Sequence, residues 1–588
     1  RHIMTRSEGE HAQQIVVSDT VQFNARQTPY KKYLPYFETG EEVSLDFVAP
    51  SFSQHYTEHH YDALGREIKM IQPDGTFSET RYEPLKRTVK DEEQTKTEGT
   101  HTGAAMVYEE DGLQDDDGKG RLRRVTEVFS EDEHWLTQYR YDLLDNLTGY
   151  TDSQGNQKLM AYDGLGRKTF MNDPDRGHMF YQYDHASNLI QTIDAKNQTI
   201  QMTYDGANRL LAEYYTSATI DENSVPDVAY HYDHAADSVS RGILWSPLAP
   251  TRVSEALLTG TAEPEHYDLN NDEQFDVADV VQAVQQQQQN LEFITASNTQ
   301  GQLAWVEDIA GEQHFSYDQR GRQSWTVRGI VDHTSQAHHY YTGFEYDSMD
   351  RVSTLTYPDQ SQLNYQYNSR GLLESIPNVI SQVDYNPAGQ NAELAYHNGI
   401  NIHYAYDERL RLQSIKSDRS HDELSLQDLT YTYDAVSNIT AITDGRGNET
   451  LDAIGAEIRL PSADARRYNA TQSFAYDNLY RLTQARNTSV YGTIDYAYDQ
   501  IGNMTNKSAT LTTPDKLMDL GAMGHGGDLG SQNRIGRSPG DAPGPHAITS
   551  TTKGGGSVGG DALVIRYDDN GNTISERNQN YGWDYKDR

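Results

Sequence analysis

Residues 188–210, NLIQTIDAKNQTIQMTYDGANRL, alternate apolar and polar positions on either side of two short turn signals, one beginning at Asp194 and one at Asp205. A period of two broken by such signals predicts strand, turn, strand, turn. The Tyr-Asp pair that opens the second turn returns at Tyr141/Asp142, Tyr162/Asp163, Tyr183/Asp184 and Tyr204/Asp205, in steps of 21 residues. The same step joins Tyr61/Asp62 to Tyr82, Tyr346/Asp347 to Tyr367, and Tyr385 to Tyr406/Asp407. Further copies stand at Tyr317/Asp318, Tyr433/Asp434, Tyr476/Asp477, Tyr498/Asp499 and Tyr567/Asp568. A hairpin is marginal alone, whereas a row of hairpins buries a continuous face. The pattern therefore predicts one long, curved antiparallel sheet.

Each residue of the repeat has an expected task. The Asp accepts hydrogen bonds from backbone amides one or two residues on, and Gly or Asn near the end of the turn takes positive φ. The Tyr sits at a strand end, its ring against the Tyr of the next hairpin and its hydroxyl in water.

Composition narrows the architecture. Among 588 residues there are 41 Tyr against 13 Phe and 5 Trp, and only 35% of the chain is hydrophobic. That is too little for a thick two-layer core, so a wide spiral with a solvated interior is expected. The fold class is all-β, built of repeated antiparallel hairpins in a curved or spiralling sheet, with a small helical insertion. With no cysteine there is no disulfide, thiol nucleophile or Cys-ligated metal. No stretch approaches the roughly 18–20 apolar residues of a membrane span. A net charge of −39 argues against nucleic acid, whose binding needs clustered Lys and Arg.

The Tyr-Asp register, with YDALGR at Tyr61 and YDQRGR at Tyr317, resembles the Rhs/YD-repeat proteins. That family includes the B and C components of insecticidal Tc toxins, bacterial polymorphic toxins and the animal teneurins. The lead-in KKYLPYF (Lys31–Phe37), the segment Gly301–Arg322 and the end YDDNGNTISERNQNYGWDYKDR (Tyr567–Arg588) are similar to Tc-B-type or related Rhs sequence. The resemblance covers about residues 28–236 and 298–588. It implies a hollow β shell around a C-terminal toxin cargo, closed in many relatives by an autoprotease carrying a DPxG motif. No DPxG occurs in this sequence, which stops at Arg588 in the middle of a repeat. An excised shell segment is the expectation.

Between Tyr232/Asp233 and Asn298 the repeat is interrupted. Inside, DLNNDEQFDVAD places Asp268, Asn270, Asp272, Gln274, Asp276 and Asp279 at positions 1, 3, 5, 7, 9 and 12 of an EF-hand-like loop. Hard oxygen ligands at that spacing suit calcium, with Gln274 offering its backbone carbonyl and Asp276 acting through water. Val277, Val280, Val281 and Val284 recur at helical spacing after the loop, where a helix should leave it. Glu273 stands where such loops carry Gly, and no second loop pairs with this one; an Asx-rich turn capping an amphipathic helix would read the same. The acidic tract Glu109–Arg121 reads as a solvated loop. The Gly-rich stretch Gly521–Gly560 lacks a phosphate-loop pattern and reads as a flexible insertion. Neither His55, His59 and His60 nor His338 and His339 show third-ligand spacing for a metal, and nothing in the sequence argues for catalysis.

The expected organisation is an N-terminal tail over 1–27 whose RHIM start reads as a cloning remnant, YD-repeat blocks over 28–236 and 298–512, and an insertion over 237–297. A Gly-rich flexible segment over 513–562 and a final partial repeat over 563–588 complete it. The expected function is a non-enzymatic shell or scaffold segment of a secreted bacterial toxin. Its partners would be a C-terminal toxin cargo and companion toxin subunits. The alternative is a repeat surface that binds neutral glycans or a cell-surface partner, adhesin-like.

Overall fold

The computed structural model describes residues 4–11, 14–39, 51–96, 102–110, 120–221, 223–243, 291–332, 337–421, 424–457, 469–487, 489–510, 519–526, 543–553, 563–576, 579–583 and 586. Antiparallel strands follow one another in chain order and pair with their neighbours. A first course of 23 strands curls round from Val21–Phe23 to Gln362–Asn364, and a second of 15 runs from Ile380–Tyr385 to Gln579–Asn580. A short ribbon, Gln366–Tyr367 with Leu373–Ser375, joins them. It leans on the first course through the Tyr365 amide and Ser353 carbonyl (2.8 Å) and on the second through the Ile376–Ile380 bridge. Among the described residues no helix is long and apolar enough to cross a membrane.

The curvature has a local cause. In repeat after repeat the pairing slips by one residue at the tyrosine, between Arg140 and Tyr141, Ala161 and Tyr162, Gln182 and Tyr183, and Thr203 and Tyr204. The same slip occurs at Tyr406, Tyr433, Tyr476 and Tyr498 in the second course. A bulge bends its strand and sharpens the twist. A bulge near the same end of one repeat after another turns a flat sheet into a curling wall.

The wall is thin, as the composition requires. Strands such as Leu189–Ile193 are half-buried along their whole length. The buried hydrophobic cluster, Ile15, Val17 and Tyr36, lies in a separate three-stranded sheet of Thr5–Glu8, Gln14–Ser18 and Tyr36–Thr39. Residues 1–27 are therefore not simply a tail, because the apolar run Ile15-Val16-Val17 has a sheet to enter.

Two other expectations change. Gly521–His525 and Ile548–Thr551, inside the Gly-rich segment expected to be flexible, are paired strands of the second course. Ala522, Met523, Ile548 and Thr549 supply enough strand-forming side chains between the glycines. The described helix is Asn448–Glu457, placed between Ile439–Asp444 and Gln472–Tyr476, which pair with each other across it. The ends of the 237–297 insertion close as a ribbon of Val239–Ile243 with Leu291–Ile294. Val228–Tyr232 pairs directly with Leu303–Asp308, so the wall continues from one repeat block to the next.

Candidate functional site

The Tyr-Asp turn is a fixed hydrogen-bonded unit. Asp163 Oδ1 accepts from the amides of Leu165 (2.9 Å) and Arg167 (3.0 Å), and its Oδ2 from Arg167 Nε (2.7 Å). The amides served are thus two and four residues on, farther than expected. The residue three after Asp carries positive φ whether it is Gly166 (76°), Ser187 (71°), Asn208 (62°) or Leu410 (60°). The side-chain bonds of the turn hold a non-glycine there against its usual preference. These bonds depress the carboxyls: the amide of Arg167, then its side chain, hold Asp163 below the ordinary 3.8, and Arg209 does the same for Asp205.

The tyrosine departs from its expected role. Its hydroxyl is not left in water but donates to a carbonyl of the preceding hairpin: Tyr162 to Leu147 (3.0 Å), Tyr183 to Lys168 (2.9 Å), Tyr204 to Leu189 (2.8 Å) and Tyr498 to Leu482 (2.9 Å). Where the preceding turn ends in arginine, that arginine covers the ring. Arg167 lies 4.9 Å from the Tyr183 centroid, Arg322 4.5 Å from Tyr346 and Arg351 4.3 Å from Tyr367. A guanidinium satisfies its own Asp and covers a π face at once. Arg167 Nη1 also reaches the carbonyl of Asp184 in the next turn (2.9 Å). One arginine thus ties two successive hairpins together.

The second course sets its Tyr-Asp turns on the opposite edge of the first. Arg409 reaches Asp74 (3.4 Å), Ala435 donates its amide to the buried Glu93 (2.9 Å), and Tyr480 bonds Asp91. Asn478 accepts from the Thr102 amide (3.1 Å) and donates to the Phe129 carbonyl (2.8 Å). Ser153 meets the Gln500 carbonyl (3.2 Å), His546 meets Asp175 (2.7 Å), and Asn570 meets Asp194 (2.6 Å). Lys196 and Lys586 add ion pairs to Asp568 (3.1 Å) and Glu213 (2.5 Å). Acidic turns below face amides, Arg and Tyr above, and this seam closes the wall.

At mid-seam a cavity of about 380 Å³ opens between the courses, lined by Glu127, Tyr150, Asp152, Asp173, Arg481 and His546 among others. Burial pushes the Glu127 carboxyl up, opposed by Arg481. Burial also acts to raise Asp173, but its bond to Lys158 (2.7 Å) prevails and holds it down. The bond to Asp175 raises the His546 imidazole.

The calcium ligands expected at Asp268, Asn270, Asp272, Gln274, Asp276 and Asp279 lie outside the described residues, as does 111–119 of the acidic tract. His59 is buried and satisfied, by Glu67 at Nδ1 (2.6 Å) and Thr57 at Nε2 (3.0 Å). The seam was invisible to sequence reasoning because it joins residues 333 to 389 apart. Acidic turns such as Asp91-Glu92-Glu93, alternating with Tyr-Asp turns along the chain, are the one signal that could have pointed to it.

No family model matches the chain. Over 151 residues it is 30% identical to the toxin subunit YenC1 of Yersinia entomophaga, a stretch covering 24% of this chain and 14% of that protein. A chain of the Photorhabdus luminescens Tc holotoxin pore superposes on all of this chain at a TM-score of 0.67 with 17% identity. The crystal structure of TcdB2-TccC3 gives 0.65 over 99% of this chain with 16% identity, and that of TcdB2-TccC3-Cdc42 gives 0.65 over 98% with 17%. The chain spans 27% to 29% of the length of those solved chains.

Proposed function

Taking the chain as a YD-repeat protein with the shell fold of the Tc toxins, we propose that it is a wall segment enclosing a toxin cargo, without a reaction of its own. The seam is the observation that carries this reading. Such a seam joins one course of the sheet to the next, as a wall drawn round a lumen requires. The charge of −39 gives the wall a field that repels acidic proteins and retains a basic or unfolded chain without a specific interface.

Companion toxin subunits are the proposed partners, and the rim supports this. On the first course the turn-tip residues Leu64, Leu144, Leu165 and Met349 are 78%, 65%, 73% and 72% exposed. Their counterparts on the second course, Leu479 and Ile501, are half-buried in the seam cavity. An apolar row at the edge of a wall fits a further wall. As part of a toxin shell the chain would act outside the producing bacterium.

The test is limited proteolysis of the natural protein containing this segment, followed by mass. Persistent protection of the cargo region while exposed turns are nicked supports the container. Rapid loss of that region from an intact repeat wall would sink it.

A further inference from the structure

The seam cavity is walled by both courses and carries more carboxylates than the courses use to hold each other. Asp175 bonds His546 across the seam (2.7 Å) and Asp173 bonds Lys158 (2.7 Å), so a cation answers each of those two. Asp152 has no ion pair among the described residues. Its oxygens accept from the amides of Gln154 (3.0 Å) and Asn156 (2.8 Å) and from the Asn156 side chain (2.8 Å).

Glu127 is the second unanswered carboxylate. It lines the cavity and makes no hydrogen bond or ion pair among the described residues. Arg481 acts on it from beyond ion-pair distance, and that guanidinium is already held by Asp477 (2.7 Å) and the Asp499 carbonyl (2.7 Å). Burial pushes the Glu127 carboxyl up, and a cation beside it would offset that cost.

The rest of the lining suits something other than a bare ion. Leu479 and Ile501, turn tips of the second course, and Pro174 of the first give the cavity an apolar side. Tyr150 adds an aromatic ring and a hydroxyl with no hydrogen-bond partner among the described residues. A hydrocarbon stem ending in a charge matches both surfaces, the stem against leucine and isoleucine and the cationic head against carboxylates and a π face. A metal ion matches neither: among the described residues no three carboxylate or imidazole donors of this cavity come within 4.8 Å of one another. The volume of about 380 Å³ falls within the roughly 300–1,000 Å³ of small-ligand sites.

We propose that the seam cavity binds an alkylammonium group, carried by a small free amine or by a lysine side chain, with Glu127 and Asp152 holding the charge. The site requires that the two courses close on each other and not that they enclose a cargo.

The experiment is calorimetric titration of the whole chain, at physiological ionic strength, with n-pentylamine, Nα-acetyl-lysine N-methylamide and the uncharged n-pentanol. One equivalent of n-pentylamine should bind, and n-pentanol should bind at least about tenfold more weakly, since only the ammonium bonds a charged partner. Binding of the lysine amide as well makes lysine side chains the ligand class, whereas binding of n-pentylamine alone makes it free amines. Glu127→Gln should weaken the ammonium ligands by about tenfold or more and leave n-pentanol unchanged. Ile501→Trp, which fills the apolar side, should block all of them. Glu131→Gln, at an exposed carboxylate outside the cavity, should bind as the wild type does, which separates the site from a general attraction of cations to an acidic chain. Ligand-free melting curves show that each variant folds, and the two cavity variants lie on different courses, so either carries the test alone. Equal binding of n-pentanol and n-pentylamine, no saturable binding of either ammonium, or full-strength binding by folded Glu127→Gln or Ile501→Trp overturns the site.

Discussion

Replacing Arg481 by methionine should open the wall locally far more than the same change at Arg66. Both occupy the last position of a Tyr-Asp turn. Arg481 bonds Asp477 (2.7 Å) and the Asp499 carbonyl (2.7 Å), and lies 4.9 Å from both the Tyr498 and the Trp135 centroids, the latter across the seam. Two charge-assisted bonds and two covered π faces, mostly out of water, amount to about 4 kcal/mol. Arg66 bonds only its own Asp62 (2.7 Å) and covers one face, Tyr82 at 4.3 Å, with 44% of its side chain exposed. Discounted for solvent, that is about 1 kcal/mol. Native-state hydrogen exchange resolves such local openings where a global transition of so long a chain would blur them. The reporters are the amides that close each turn, Tyr480 to Asp477 and Gly65 to Asp62. Protection should fall by roughly three orders of magnitude at Tyr480 and about fivefold at Gly65. Equal losses at the two turns would refute the claim that the seam, rather than the turn alone, holds the arginine.

Other outcomes follow from the same geometry. The Asp163 and Asp205 carboxyls lie below their ordinary 3.8, so their contribution is whole above that pH and disappears as pH falls through the lowered native values. Circular dichroism should show the wall intact in mild acid and melting only below, and Asp163→Asn should remove part of that dependence. His546 is raised from 6.5 by Asp175; its contribution is whole below 6.5 and lost as pH rises through the raised value, so the protection of the His546 amide relative to its intrinsic exchange rate should fall toward alkaline pH, and Asp175→Asn should remove that fall. A Cβ at Gly311, where φ is 137°, would overlap the Gly329 carbonyl oxygen, so Gly311→Ala should lower the urea midpoint by an amount equivalent to about 1–3 kcal/mol. If the loop from Asp268 to Asp279 holds calcium, excess Ca²⁺ should raise the melting temperature relative to chelator, and Asp268→Ala with Asp272→Ala should abolish the shift.

How far the sequence was legible depends on how local each interaction is. The Tyr-Asp turn could be placed because Asp, its amides and the positive-φ position fall within five residues of one another. The tyrosine's partners could not, since the Leu147 carbonyl that Tyr162 bonds lies 15 residues back. Histidine partners were hidden for the same reason, since sheet register brings Glu312 to within 3.6 Å of His339 from two strands away. The Gly-rich segment misled in the other direction, because glycine lowers strand preference without preventing pairing when Met523 and Thr551 are in register.

The closure of the second course on the first can be tested directly, because the chain has no cysteine. Cysteines introduced by Ser153→Cys and Gln500→Cys, at a contact of 3.2 Å spanning 347 residues, should be joined by a short bis-maleimide, giving a looped chain of altered gel mobility. Ser153→Cys paired with Arg320→Cys, on the uncovered rim of the first course, serves as the control. Rapid crosslinking of the first pair and none of the second is the predicted result. Equal yields, or no crosslink across 153 and 500 in a folded chain, would mean that the second course does not close on the first.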